Sequence, residues 1–188
     1  MGLHDVMLNE LRDLYSAESQ LVKALPKLAK AAENDELKQA FSDHLEETRG
    51  HVDRLRQVFT ILEEKPTGKH CNGMEGLIEE GNEAIDEEEE GDAYDVGLIG
   101  GAVRVEHYEI AGYTAVIAMA RGLGQEEVAG LLDETLTEEN AAREKLEGKA
   151  EDLIAAAAES ESSDGEEDES GKEAEEPKQT LHLKSTKR

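Results

Sequence analysis

The sequence predicts an all-α fold, a four-helix bundle with an additional short helix in the crossover between the second and third long helices. Composition is the first reason. Leu and Ala dominate the apolar residues, aromatics make up only 3% of the chain, Trp is absent and there are three Pro, a profile of helices rather than of a sandwich or barrel. Periodicity is the second, because apolar residues recur at spacings of three and four over four long stretches, the stripe of an amphipathic helix. The third is internal. Displaced by 91 residues, segment 14–55 lies over 105–146 without a gap, so that Leu37 meets Val128, Leu45 meets Leu136 and Leu55 meets Leu146. Two related helix pairs follow. A chain of 188 residues has material for one good core with appendages.

The first helix is expected from about Leu3 to Ala32, with Leu11, Leu14, Leu21, Leu25 and Leu28 on one stripe and Glu18 in the place the series leaves open. Pro26 removes one ladder bond and is a point of bending or local break. Asn34-Asp35 then forms a tight connection, with Asp35 as N-cap of a second helix from about Glu36 to Glu63. Its apolar face comprises Leu37, Phe41, Leu45, Val52, Leu55, Val58 and Leu62, and His44, Glu47 and His51 lie along one side of it. Glu64-Lys65-Pro66-Thr67-Gly68 stops that helix. A short helix from about Met74 to Asp86 follows, then a solvated acidic loop over 86–92. So long a connection can carry the chain from one end of a bundle to the other. The third long helix covers about Asp95 to Arg121, ended by Gly122-Leu123-Gly124, and the fourth about Glu126 to Ala158. The bundle therefore spans residues 1–158. From Glu159 apolar periodicity gives way to Ser, Asp, Glu and Gly, which predicts a disordered acidic tail over 159–188. Its basic end, Lys178 to Arg188, is a possible docking peptide for a partner.

The chain carries 46 acidic and 20 basic residues, a formal net charge of -26. Such a surface repels phosphate backbones and attracts cations, so nucleic acid is not an expected partner. Cys71 is the single cysteine, which precludes an intrachain disulfide. Met1-Gly2-Leu3-His4-Asp5 has neither a basic nor an apolar leader segment, and a cytoplasmic location is expected. The apolar run from Val96 to Ala120 is interrupted by Arg104, Glu106, His107 and Glu109. It is therefore expected as a buried helix and not as a membrane span.

That run contains the most informative stretch, Val105 to Tyr113. Ile99, Ala102, Val116 and Ala120 flank it, so Glu106 and Glu109 fall on the stripe that should face the core. An ionised carboxylate there needs a cationic partner or a metal ion. The repeat supplies further acids, since Glu18 superimposes on Glu109 and Glu47 on Glu138. Two helix pairs about an approximate two-fold axis would bring Glu18, Glu47, Glu109 and Glu138 together in the bundle interior, the plan by which such bundles hold two metal ions. Glu139 is an alternative to Glu138, because the face of the fourth long helix is ambiguous by one residue, and Glu106 is a candidate fifth carboxylate. His44 and His51, a turn either side of Glu47, are candidate nitrogen ligands. Carboxylates with imidazole suit iron or manganese better than calcium or magnesium. For Tyr15 and Tyr113, core packing and hydrogen-bond donation to the centre are both open.

Leu14-Tyr15-Ser16-Ala17-Glu18, His44-Leu45-Glu46-Glu47-Thr48, Met74-Glu75-Gly76-Leu77-Ile78-Glu79-Glu80 and Val105-Glu106-His107-Tyr108-Glu109-Ile110-Ala111, in that order, resemble the YciF/YciE stress-protein family of ferritin-like domains. The likeness covers about residues 3 to 155. It implies a ferritin-like bundle with an extra crossover helix, a homodimer, a link to stress responses and a carboxylate-bridged centre of two iron or manganese ions. In one respect the chain departs from ferritin-like bundles, which usually carry Glu-x-x-His twice: the third residues after Glu47 and Glu138 are Gly50 and Ala141. Three functions compete: a dimetal oxidoreductase acting on peroxide or oxygen, a module that oxidises or sequesters iron, and a structural bundle with a vestigial site.

Overall fold

A computed structural model describes residues 2–67, 69–86 and 90–170, with side chains as far as Ser162. It contains five helices, α1 (Leu3–Ala31), α2 (Asp35–Ile61), α3 (Asn72–Asp86), α4 (Asp92–Gly122) and α5 (Glu126–Ser170), and no strand among the described residues. The fold is the predicted ferritin-like bundle.

Each boundary has a local cause. The Asp5 carboxylate accepts the Gly2 N–H at 2.8 Å at the start of α1. The helix runs unbroken through Pro26, which lies on the solvent side, where a carbonyl left without its ladder partner can be hydrated. Asn34, not Asp35, caps α2, since its side-chain oxygen accepts the N–H groups of Glu36 and Leu37 at 3.0 and 3.1 Å. Asp35 instead supplies negative charge in the first turn. α4 begins three residues earlier than expected, after Gly91, whose φ of 85° is a conformation glycine adopts without strain. α5 extends past Ala158 to Ser170, so twelve residues assigned to the tail are helical. Five of the twelve are Glu, a strong helix former, and no Pro intervenes before Pro177. The basic C-terminal stretch lies outside the described residues.

The four long helices sit in the cyclic order α1, α2, α5, α4, each packing on two neighbours, while α3 lies against α1 and α4. Asp95 at the start of α4 accepts the N–H groups of Glu33 and Asn34, at the end of α1, at 2.9 and 2.6 Å. Thus α4 starts where α1 ends, at the opposite end of the bundle from the end of α2. The crossover carrying α3 spans that length, as such a bundle requires.

The core divides in two. One apolar cluster includes Leu21, Leu25, Leu37, Phe41, Leu98, Ile99, Leu146 and Leu153. The other includes Met7, Leu11, Leu14, Leu55, Phe59, Tyr113, Ile117 and Leu132. On every long helix a polar residue interrupts the stripe between them: Glu18 on α1, His44 and His51 on α2, Glu106 and Glu109 on α4, Glu139 on α5, all buried. A polar layer crosses the middle of the bundle, closed above and below by hydrocarbon. Among the described residues no helix is long and apolar enough to cross a membrane.

Candidate metal centre

Six side chains form this layer, and donor atoms of five of them fall into two trios. Glu18, His51 and Glu139 form one, and His44, Glu106 and Glu139 the other; within each trio the donor atoms lie within 4.8 Å of one another. Glu139 belongs to both through different oxygens. Its Oε1 is 3.0 Å from His51 Nδ1, and its Oε2 is 3.9 Å from His44 Nε2. His51 Nδ1 also lies 3.5 Å from Glu18 Oε2, and His44 Nε2 lies 3.2 Å from Glu106 Oε1. Glu109 completes the layer, fully buried.

Among the described residues, the buried side-chain oxygen and nitrogen atoms without a hydrogen-bond partner all belong to these six residues: Glu18 Oε2, His44 Nε2, His51 Nδ1, Glu106 Oε2 and both oxygens of Glu109 and of Glu139. Several approach one another within ion-pair distance but lack the alignment of a hydrogen bond. Buried polar atoms are otherwise nearly always paired, and leaving one unpaired costs about 1–3 kcal/mol. So many in one layer would unfold a marginally stable protein unless something else satisfies them. Carboxylate oxygens with two imidazole nitrogens are a donor set for iron or manganese, and the residues fit such ions.

The electrostatics agree. Burial, together with Glu139, pushes Glu106 well above the usual carboxylate range. Burial and then Glu18 do the same to Glu109, and burial also raises Glu18. Burial also raises Glu139, but His51 outweighs it and holds that carboxyl below its ordinary value. For His51 burial works downward, but Glu139 and Glu18 outweigh it and hold the imidazole at about 10. With no cation, protons hold this layer together; a cation would displace them.

Of the seven residues expected at the centre, five meet there: Glu18, His44, His51, Glu106 and Glu109. Glu47 and Glu138 do not. Their side chains are 48% and 39% exposed, and each touches the outer nitrogen of a histidine. Glu138 Oε2 is 2.9 Å from His51 Nε2, and Glu47 Oε2 is 3.3 Å from His44 Nδ1. An outer carboxylate of this kind fixes the tautomer and turns the other nitrogen inward. Glu138 is itself gripped by Arg54 at 2.8 and 3.1 Å, and Arg54 also donates to Thr135 at 2.6 Å. Arg54 outweighs the upward push of burial and keeps Glu138 below the usual carboxylate range.

The displacement by one residue has a helical cause. Leu132 and Leu146, both buried, stand seven residues either side of Glu139, and Phe41 and Leu55 stand seven either side of Thr48. Seven residues are two turns, so the inward positions are 139 and 48, and their neighbours 138 and 47 turn outward. Thr48 and Glu139 are also 91 apart, as are His51 and Ala142. The Glu-x-x-His pattern is thus divided between the repeats. α2 keeps the histidine and has Thr48 in place of the acid, while α5 keeps the acid and has Ala142 in place of the histidine.

Tyr113, fully buried, donates its O–H to Glu18 Oε1 at 2.5 Å. Tyr15 instead packs edge-on against Phe59, with ring centres 6.2 Å apart. Cys71, unassigned from sequence, is buried beside Tyr108 and Asp13, its Sγ 2.9 Å from Tyr108 Oη and 3.0 Å from Asp13 Oδ2. Burial raises both the thiol and the Tyr108 phenol.

The family model for the domain of unknown function DUF892 matches residues 2–159. The chain is 48% identical over 145 residues to protein YciF of Escherichia coli (strain K12), covering 77% of this chain and 87% of that protein. The crystal structure of the E. coli stress protein YciF superimposes with a TM-score of 0.81 at 45% identity, over 82% of this chain and 98% of that one. YcfI of Rhodopseudomonas palustris gives a TM-score of 0.76 at 42% identity, over 78% and 94%. A protein of Xanthomonas campestris pv. campestris, 22% identical with a TM-score of 0.67 over 86% and 99%, shares the fold.

Proposed function

This chain belongs to the DUF892 family, and we propose that it is a metal-dependent protein of stress defence, whose centre takes two iron or manganese ions for reaction with peroxide or oxygen. One observation carries this reading: unpartnered buried donor atoms gather in a single layer, in two trios that share Glu139 through its two oxygens. Glu18 with His51 would hold one ion, and Glu106 with His44 the other. Glu139 would serve both, with Glu109 beside them. Iron or manganese, when bound, supplies electron exchange that none of these side chains offers.

The chain's own contribution is positional. Glu47 and Glu138 turn the imidazoles inward, Tyr113 holds a proton on its phenolic oxygen against Glu18, and the two apolar clusters keep bulk water from the layer. A low-dielectric enclosure strengthens each of these interactions. The family resemblance further suggests a homodimer, which light scattering of the purified chain would test.

The test is reconstitution of the purified full chain followed by elemental analysis. About two equivalents of iron or manganese per chain are expected, and less than about one would overturn the proposal. A second reading, ion binding or ferrous oxidation without peroxide turnover, draws on the excess of carboxylate over imidazole in the layer. Ferrous oxidation by oxygen in the absence of peroxidase and catalase activity would decide for it.

A further inference from the structure

The two donor trios are built alike on the inside and differently on the outside. Behind His51 stands Glu138, and behind Glu138 stands Arg54, bonded to both carboxylate oxygens and to Thr135. Glu18, in the same trio, has its outer oxygen occupied by Tyr113. His51 and Glu18 are fully buried. Every ligand atom that faces away from this trio on α1 and α2 is therefore fixed by a partner, and the outermost charge is balanced by a guanidinium.

The other trio lacks this support. His44 is held through a longer contact of 3.3 Å to Glu47, which is half-exposed and has no cation bonded to it among the described residues. Glu106 Oε2 has no hydrogen-bond partner. His44 is 6% exposed where His51 is wholly buried, so this half of the layer is the half nearest solvent.

Resting on the metal reading above, we propose that the centre is functionally unequal: the Glu18–His51 position retains its ion, and the His44–Glu106 position exchanges its ion with solution across the Glu47 side. A carboxylate behind a ligating histidine typically changes metal affinity by 10- to 100-fold. The rigid Arg54–Glu138 pair and the loosely held Glu47 should fall at different points in that range. Glu138 and Arg54 act here as positioning residues, since neither contributes a donor atom to the trios.

The experiment titrates the metal-free full chain with Mn(II), following free Mn(II) by its electron paramagnetic resonance, and then measures loss to a chelator. Two binding steps at least about tenfold apart are expected, with one ion lost much faster than the other. Glu138→Gln should weaken the tight step by about 10- to 100-fold and leave the weak step unchanged. Glu47→Ala should weaken the second step or speed its release and leave the first unchanged. Arg54→Lys keeps the charge but loses the two-pronged grip, so it should weaken the tight step less than Glu138→Gln does. Two steps of equal affinity, or Glu138→Gln and Glu47→Ala acting on the same step, would overturn the inequality while leaving the dimetal reading intact. No bound Mn(II) at all would overturn the dimetal reading itself.

Discussion

Glu109 brings both carboxylate oxygens into the interior with no hydrogen-bond partner. Burial, with Glu18 next, holds its proton on in the cation-free protein, so the neutral isostere should be tolerated there. We expect Glu109→Gln to leave the metal-free stability within about 1 kcal/mol of the parent, or slightly above it. The parent should gain about 2.7 kcal/mol at Mn(II) concentrations a hundredfold above its Kd, and the variant should lose most of that gain. Urea unfolding with and without Mn(II) checks both halves. A variant destabilised without metal yet still stabilised by Mn(II) would mean that Glu109 is a packing residue only.

Two contacts decide how the helices meet. Asp95, in the first turn of α4, accepts two backbone N–H groups at the α1–α2 turn, so Asp95→Ala leaves both unpaired. A loss of about 1–3 kcal/mol is expected, read as a lower denaturation midpoint, with Mn(II) binding unchanged because the residue lies an apolar cluster away from the centre. Gly73, near the start of α3, lies so close to Tyr108 that an added Cβ would sit 2.8 Å from both Cε2 and Oη of that ring. A rigid ring cannot fold aside as an alkyl chain can. Gly73→Ala should therefore displace α3 or Tyr108 and destabilise by about 1–3 kcal/mol, whereas Gly50→Ala, which meets nothing within 4 Å, should not.

At the scale of the molecule, the layer links folding to pH. Glu18, Glu106, Glu109 and His51 all have folded values raised above their unfolded ones. Each contributes stability that is complete below its unfolded value and is lost as pH rises through its folded value. For the carboxylates the loss begins above 4.5, and for His51 it runs from 6.5 to about 10. Glu138 and Glu139, held low, act the other way and lose their contribution only as pH falls below that window. The metal-free chain should therefore melt at progressively lower temperature from about pH 5 to about pH 10. Mn(II) replaces the protons, so the difference in Tm between metal and chelator should widen over the same interval. A difference that stays constant with pH would show that the layer binds no cation in exchange for protons.

Periodicity was enough to determine the class of the fold, its four long helices, the crossover helix and the burial of Glu18, Glu106 and Glu109, because a stripe at 3.6 residues states which side of a helix leaves water. The same rule carried the information that Glu139 faces inward, through Leu132 and Leu146, but it was outweighed by the matching acids at 47 and 138. Those acids are shared by the two halves because each supports, or in α5 reaches across to support, a histidine of α2. Only the packing of α2 against α5 decided that. Adjacent glutamates on a helix differ by about 100° of rotation, which the apolar stripe of α5 resolves; that Glu138 then meets His51 depends on how α5 and α2 interlock, information that no single stretch of sequence contains.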